Sequence, residues 1–112
     1  MRFWVLVIAA GFSLIALAID GLANATSTEV TAHVFQFKPG TLDVGAGSTV
    51  TWLNRDDIGH RVTSGRPAQP DQTFDVPLDG PGATATVTFR APGVYPYFCA
   101  RHQSMRGEIH VK

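Results

Sequence analysis

The chain has 112 residues, enough for one domain, and its nine Lys and Arg balance nine Asp and Glu to a formal net charge of zero. That balance excludes the basic field of a nucleic-acid binder and the acidic block of a solvating tail. A single cysteine excludes an internal disulfide. In an oxidising compartment such a thiol is buried and inert, paired with another molecule, or bound to something.

The N-terminus reads as a targeting segment. Arg2 supplies a basic start, an uncharged apolar run follows from Phe3 to Ile19, and Ala23 and Ala25 in "GLANA" form a small-residue cleavage site. Residues 1–25 are therefore expected to be a signal peptide, which places the remainder in the periplasm or otherwise outside the cytoplasm. The alternative is an uncleaved anchor, since the apolar run sits at the lower edge of a membrane span. Membrane contact is expected only in that case. Residues 26–112 make one domain, able to bury roughly 60–65% of its unfolded surface.

Within that domain, short alternating runs are separated by turn residues, which is the pattern of an all-β chain. "EVTAHVFQF" (29–37) ends at Pro39-Gly40, and "TLDV" (41–44) ends at "GAG". "STVTWLN" (48–54) puts Val50 and Trp52 on one face. "HRVTS" (60–64) precedes a loop, "GRPAQPD", and "QTFDV" (72–76) precedes another, "PLDGPG". In "ATATVTFR" (83–90), Ala85, Val87 and Phe89 share one face and three threonines the other. "GVYPYFC" (93–99) aligns Tyr95, Tyr97 and Cys99, and "GEIHV" (107–111) is the last run. About eight strands with no helix predict a sandwich of two antiparallel sheets. Pro96 inside a strand run marks an edge or a bulge.

The chemistry gathers in "YFCARHQSM", where His102 follows Cys99 by three residues and Met105 follows His102 by three. A lone buried cysteine packs as a small hydrophobe, and a lone methionine fills core space. Together with two imidazoles they form a soft ligand set, which suits copper in a trigonal thiolate–imidazole site with a weak axial thioether. The second imidazole must come from elsewhere. His60 is the candidate, because "NRDDIGH" is a turn-rich loop opening a strand, where a ligand can be held at one end of a sandwich. His33 and His110 sit inside strand runs and read as ordinary strand residues. Asp56 and Asp57 read as part of a polar turn.

Over nearly all of residues 26–112 the sequence resembles the small type 1 blue copper proteins, the cupredoxins of the plastocyanin and amicyanin group. The resemblance runs through "FQFKPGTLDVGAGSTVTWLN", "DDIGHRVTS" and "FRAPGVYPYFCARHQSMRGEIHV". It implies a Greek-key sandwich, one copper ion, and single-electron transfer between a donor and an acceptor redox protein. By the same resemblance His60, Cys99 and His102 are equatorial ligands and Met105 the axial one. His102 should then lie near the surface, with His60 and Cys99 buried. Asn54 matches a position thought to tie the two ligand loops together. Arg101 stands where many relatives have proline, and Gln103 and Ser104 stand where amicyanins have proline and a bulky apolar residue.

Three further expectations follow. The Arg101 amide, absent from a proline, is placed to donate to the Cys99 sulfur. Arg61, Arg101 and Arg106 either rim the exposed imidazole and favour an acidic docking surface, or point away or pair with Asp56 and Asp57. The protein is expected to be a monomer and not an enzyme. A copper carrier or storage protein and an electron-transfer subunit of a larger redox enzyme are the alternatives.

Overall fold

The computed structural model describes residues 28–112; the expected signal peptide lies outside them. Nine strands and no helix occur among the described residues: β1 Glu29–His33, β2 Gln36–Lys38, β3 Thr41–Val44, β4 Ser48–Asn54, β5 His60–Arg66, β6 Gln69–Leu78, β7 Thr84–Phe89, β8 Gly93–Phe98 and β9 Arg106–Val111. They form two sheets, ordered β2-β1-β4-β7 and β3-β9-β8-β5-β6.

The all-β sandwich is as expected, but the sheets are mixed rather than antiparallel. β1 runs parallel to β4, and β3 runs parallel to β9. Tight hairpins can join only antiparallel neighbours. The hairpins β1–β2, β5–β6 and β8–β9 are antiparallel, whereas the parallel partners are separated by strands that visit the other sheet.

Two element boundaries also differ. Residues 29–37 are not one strand but two, folded back at Val34-Phe35, so that His33 pairs with Gln36. The stretch read as a loop, "GRPAQPD", is mostly strand: Arg66 pairs with Gln69 across Pro67-Ala68, and Gly65 pairs with Pro70. A bulge between Thr63 and Gly65 makes this possible. Gly65 has φ of 98°, and a Cβ there would meet the backbone of Gln69, Pro70 and Asp71 at 2.7–2.8 Å, so only glycine fits.

Alternation places the core. Val50 and Trp52 on β4, Val62 on β5, Tyr97 on β8 and Ile109 on β9 are buried between the sheets. Each aliphatic side chain so buried contributes about 1.5–3 kcal/mol of transfer free energy. Trp52 is the hub of the aromatic packing, its ring 5.4 Å from Tyr97, 6.0 Å from Phe74 and 6.4 Å from Phe89 between centroids. The Tyr97 hydroxyl and Trp52 Nε1 are buried without a hydrogen-bond partner, and burial pushes the Tyr97 phenol up to about 12. Pro96 lies where β8 is paired on β9 alone, since pairing with β5 covers only Tyr97 and Phe98. Its missing N–H therefore breaks no ladder.

Candidate metal centre

The site forms where the β4–β5 and β8–β9 connections meet. His60 is the first residue of β5, Cys99 follows directly after β8, and His102 and Met105 lie on the way to β9. The three-residue spacing has a backbone cause. His102 N–H donates to the Cys99 carbonyl at 3.2 Å and Met105 N–H to the His102 carbonyl at 2.9 Å, making two successive turns. Cys99 N–H then donates to the Met105 carbonyl at 3.0 Å, which closes the loop onto itself just beyond the Phe98–Arg106 pair.

This brings three donor atoms together. His60 Nδ1 lies 3.2 Å from His102 Nδ1, and Cys99 Sγ lies 3.8 Å from each. Imidazole and thiolate bind first-row metals at about 2.0–2.3 Å, so a planar three-donor site needs separations of roughly 3.5–3.8 Å. The observed triangle fits an ion at its centre. His60, Cys99 and Met105 are buried, and His102 is half-buried. His33 and His110 stay outside; His110 sits between Glu108 at 2.8 Å and Asp43 at 3.5 Å.

Two groups tune these donors. The Arg61 amide points at Cys99 Sγ from 3.4 Å, and a donor there stabilises negative charge on sulfur. The expected donor was the Arg101 amide; the strand running from His60 supplies it instead, because Arg61 begins the ladder that passes the sulfur. His60 Nε2 meets Asp56 Oδ2 at 2.7 Å. That partner holds the proton on Nε2 and leaves the Nδ1 lone pair facing the cluster. Burial works to raise the Asp56 carboxyl, but hydrogen bonds from His60, Phe35 and Val34 hold it below the usual carboxylate range. Asp56 was read as turn filler. A carboxylate four residues before a candidate ligand was the available signal.

Asn54 plays a different part from the one expected. Its Nδ2 donates to the carbonyls of Ile58, Leu78 and Gly80, and its Oδ1 accepts from the Asp56 amide. It ties the His60 loop to the β6–β7 turn, not to the Cys99 loop. Contact between the two ligand loops comes partly from Arg101, whose guanidinium lies against Gly59, where a Cβ would sit 2.9 Å from Nη1.

The arginines do not pair with Asp56 and Asp57. Arg61 makes a two-pronged contact with Asp75, at 2.7 and 3.1 Å. Arg101 reaches Asp79 at 3.6 Å, and Arg106 Nε donates to the Gln103 carbonyl. Two of the three charges in the expected rim are therefore countered by aspartates on or just after β6, which weakens the local positive field.

Comparison with known proteins agrees with this geometry. Residues 24–112 match the family described as copper binding proteins, plastocyanin/azurin family. Amicyanin-alpha of Methylorubrum extorquens is 33% identical over 90 residues, covering 80% of this chain and 76% of that protein. The chloroplastic plastocyanin of Tetradesmus obliquus is 34% identical over 114 aligned positions, covering 93% of this chain and 79% of that protein. Among solved structures, a purple cupredoxin from Nitrosopumilus maritimus matches with a TM-score of 0.70 at 26% identity, across 77% of this chain and 100% of that one. With a buried thiol, two imidazoles and a matching sandwich in place, the chain belongs to the plastocyanin/azurin family of copper-binding proteins, the cupredoxins.

Proposed function

We propose that His60, Cys99 and His102 would hold one copper ion, with Met105 as a further, weaker donor, and that the chain carries single electrons between redox proteins. The observation that carries this reading is the triangle of His60 Nδ1, His102 Nδ1 and Cys99 Sγ at 3.2, 3.8 and 3.8 Å. Copper supplies a one-electron couple between Cu(I) and Cu(II). The protein supplies fixed ligands. Packing buries His60 and Cys99, Asp56 sets the His60 tautomer, and the closed 99–105 loop holds His102 and Met105. Donors that do not move between oxidation states keep reorganisation small. The half-buried His102 edge is the route in and out, and the exposed Val34, Phe35 and Ile58 give that end of the sandwich an apolar collar for a partner. The chain acts as a monomeric carrier, not as an enzyme, after export directed by residues 1–25.

The test is to load residues 26–112 with Cu(II) and record visible and EPR spectra and a voltammogram. An intensely blue protein with a reversible couple is expected, and Cys99→Ala should be colourless. A chain that binds Cu(I) but shows neither property would be a copper carrier. A blue Cys99→Ala protein would overturn the ligand assignment. Intact mass beginning at Thr26 would support export by cleavage.

A further inference from the structure

The turn between β1 and β2 is built against its own sequence. Val34 and Phe35 have φ of 53° and 56°, the left-handed pair of a two-residue hairpin turn for which Asn-Gly is favoured. A β-branched or bulky residue there is a genuine outlier. Such strain persists only where the surroundings over-determine it, and it collects at functional sites. Here the surroundings are one side chain from the His60 loop. Asp56 accepts the Val34 amide through Oδ1 at 2.7 Å and the Phe35 amide through Oδ2 at 3.2 Å, and that same Oδ2 meets His60 Nε2. One carboxylate thus grips both strained residues and a candidate ligand.

What the strain positions is a ring. Phe35 meets His102 edge-on with centroids 5.1 Å apart and His60 edge-on at 5.7 Å. It is nonetheless 48% exposed. A phenyl ring half in water, lying against both imidazoles, buries too little to be there for core packing alone.

We propose that Phe35 is a cap over the metal centre and that Asp56 is the positioning residue that keeps cap and ligand in register. The proposal rests on the copper-site reading and deepens it. Phe35 closes the solvent side of the two imidazoles against small molecules. Asp56 holds the turn in its left-handed form and the His60 ring in its orientation through the same carboxylate, so the cap cannot drift independently of the ligand.

The test uses Phe35→Ala, Phe35→Leu and Asp56→Asn in residues 26–112. In the metal-free protein, amide exchange at Val34 and Phe35 and the rate of Cys99 alkylation by iodoacetamide are measured. In the Cu(II)-loaded protein, azide is titrated against the visible spectrum. Phe35→Ala should raise the alkylation rate at least ~10-fold and let azide perturb the spectrum at lower concentration, while the Val34 amide stays protected. Asp56→Asn should raise exchange at both amides at least ~10-fold, as expected for losing charge-assisted hydrogen bonds, and should also raise the alkylation rate. Phe35→Leu should fall between parent and alanine, and it carries the same test if the alanine variant does not fold. A folded Phe35 variant with parental alkylation and azide response overturns the cap. Parental amide protection in Asp56→Asn overturns the positioning role. If the metal-free changes appear but no variant, nor the parent, turns blue with copper, the cap stands and the copper reading fails.

Discussion

Asn54 offers the sharpest test of how the His60 loop is held. It is wholly buried at the end of β4. Its two amide hydrogens are shared among three carbonyls, at 2.8 Å to Ile58, 2.9 Å to Gly80 and 3.1 Å to Leu78, and Oδ1 accepts the Asp56 amide at 2.9 Å. Asn54→Ala removes all four partners at once. The Leu78 contact is buried and the other three are part-buried. Taking about 1–3 kcal/mol for a buried group left unpaired and about 0.5–1 kcal/mol for each group that water reaches, the loss is roughly 2.5–6 kcal/mol. A domain of this size holds only about 5–15 kcal/mol in all. The metal-free variant should therefore melt at least ~10 °C below the parent, followed by circular dichroism. Asn54→Asp keeps the shape but turns a second oxygen toward the three carbonyls. It should be no more stable than the alanine variant at neutral pH and should recover part of the loss when acid protonates it. A loss under about 1 kcal/mol for Asn54→Ala would show that water satisfies these carbonyls and that Asn54 does not hold the loop.

In Gly107→Ala the new methyl collides with the Tyr97 phenol ring and hydroxyl; overpacking of this kind costs about 1–3 kcal/mol, read as a lower midpoint in urea melts. Val34→Asn replaces a β-branched residue in a left-handed turn with one that tolerates it, and should raise stability by about 0.5–1 kcal/mol, read as a higher urea midpoint at unchanged slope. Hydrogen bonding by Arg61, and then by Thr63, outweighs desolvation and holds the Asp75 carboxyl below its ordinary 3.8. Its folded value is the lower one, so the stability it contributes is present above 3.8 and is lost as pH falls through the folded value. The stability gap between parent and Asp75→Asn should therefore close on acidification, measured by urea melts across a pH series. Met105→Leu should keep the blue spectrum and raise the reduction potential, since losing a weak thioether donor would mainly destabilise Cu(II); voltammetry checks the sign.

The fold was readable wherever one face of a strand is buried and the other is wet. β4 and β7 are such strands, and Val50, Trp52 and Phe89 lie inside as their alternation demands. It was not readable at Val34-Phe35, because the residues in that turn are strand formers, and the group that holds the turn is Asp56, about twenty positions away. At "GRPAQPD" the prolines and glycine read as loop, yet a bulge lets Gly65 face Pro70 and a tight turn at Pro67-Ala68 completes a hairpin. The donor cluster was legible because its spacing is local: two turns of three residues generate Cys99, His102 and Met105. The groups around the donors were not. The Arg61 amide reaches Cys99 only because β5 lies beside β8, and that adjacency is a property of the sheet, not of any short stretch of sequence.

The parallel pairing of β3 with β9 also bears on how the chain reaches its fold. β9 has β8 on one side and β3 on the other, so the strand that anchors the Met105 end of the loop is complete only when Thr41–Val44 and Arg106–Val111 have found each other. Pairings so distant along the chain form late and slowly, because the loop between them must be closed first. During synthesis His60 emerges well before Cys99 and His102, and it joins them only when β5 pairs with β8. An ion met before that pairing finds only the donors of the 99–105 loop, without the His60 imidazole. The full donor set therefore exists only once the sheet is formed, so loading kinetics should follow the slowest sheet-closing step in refolding.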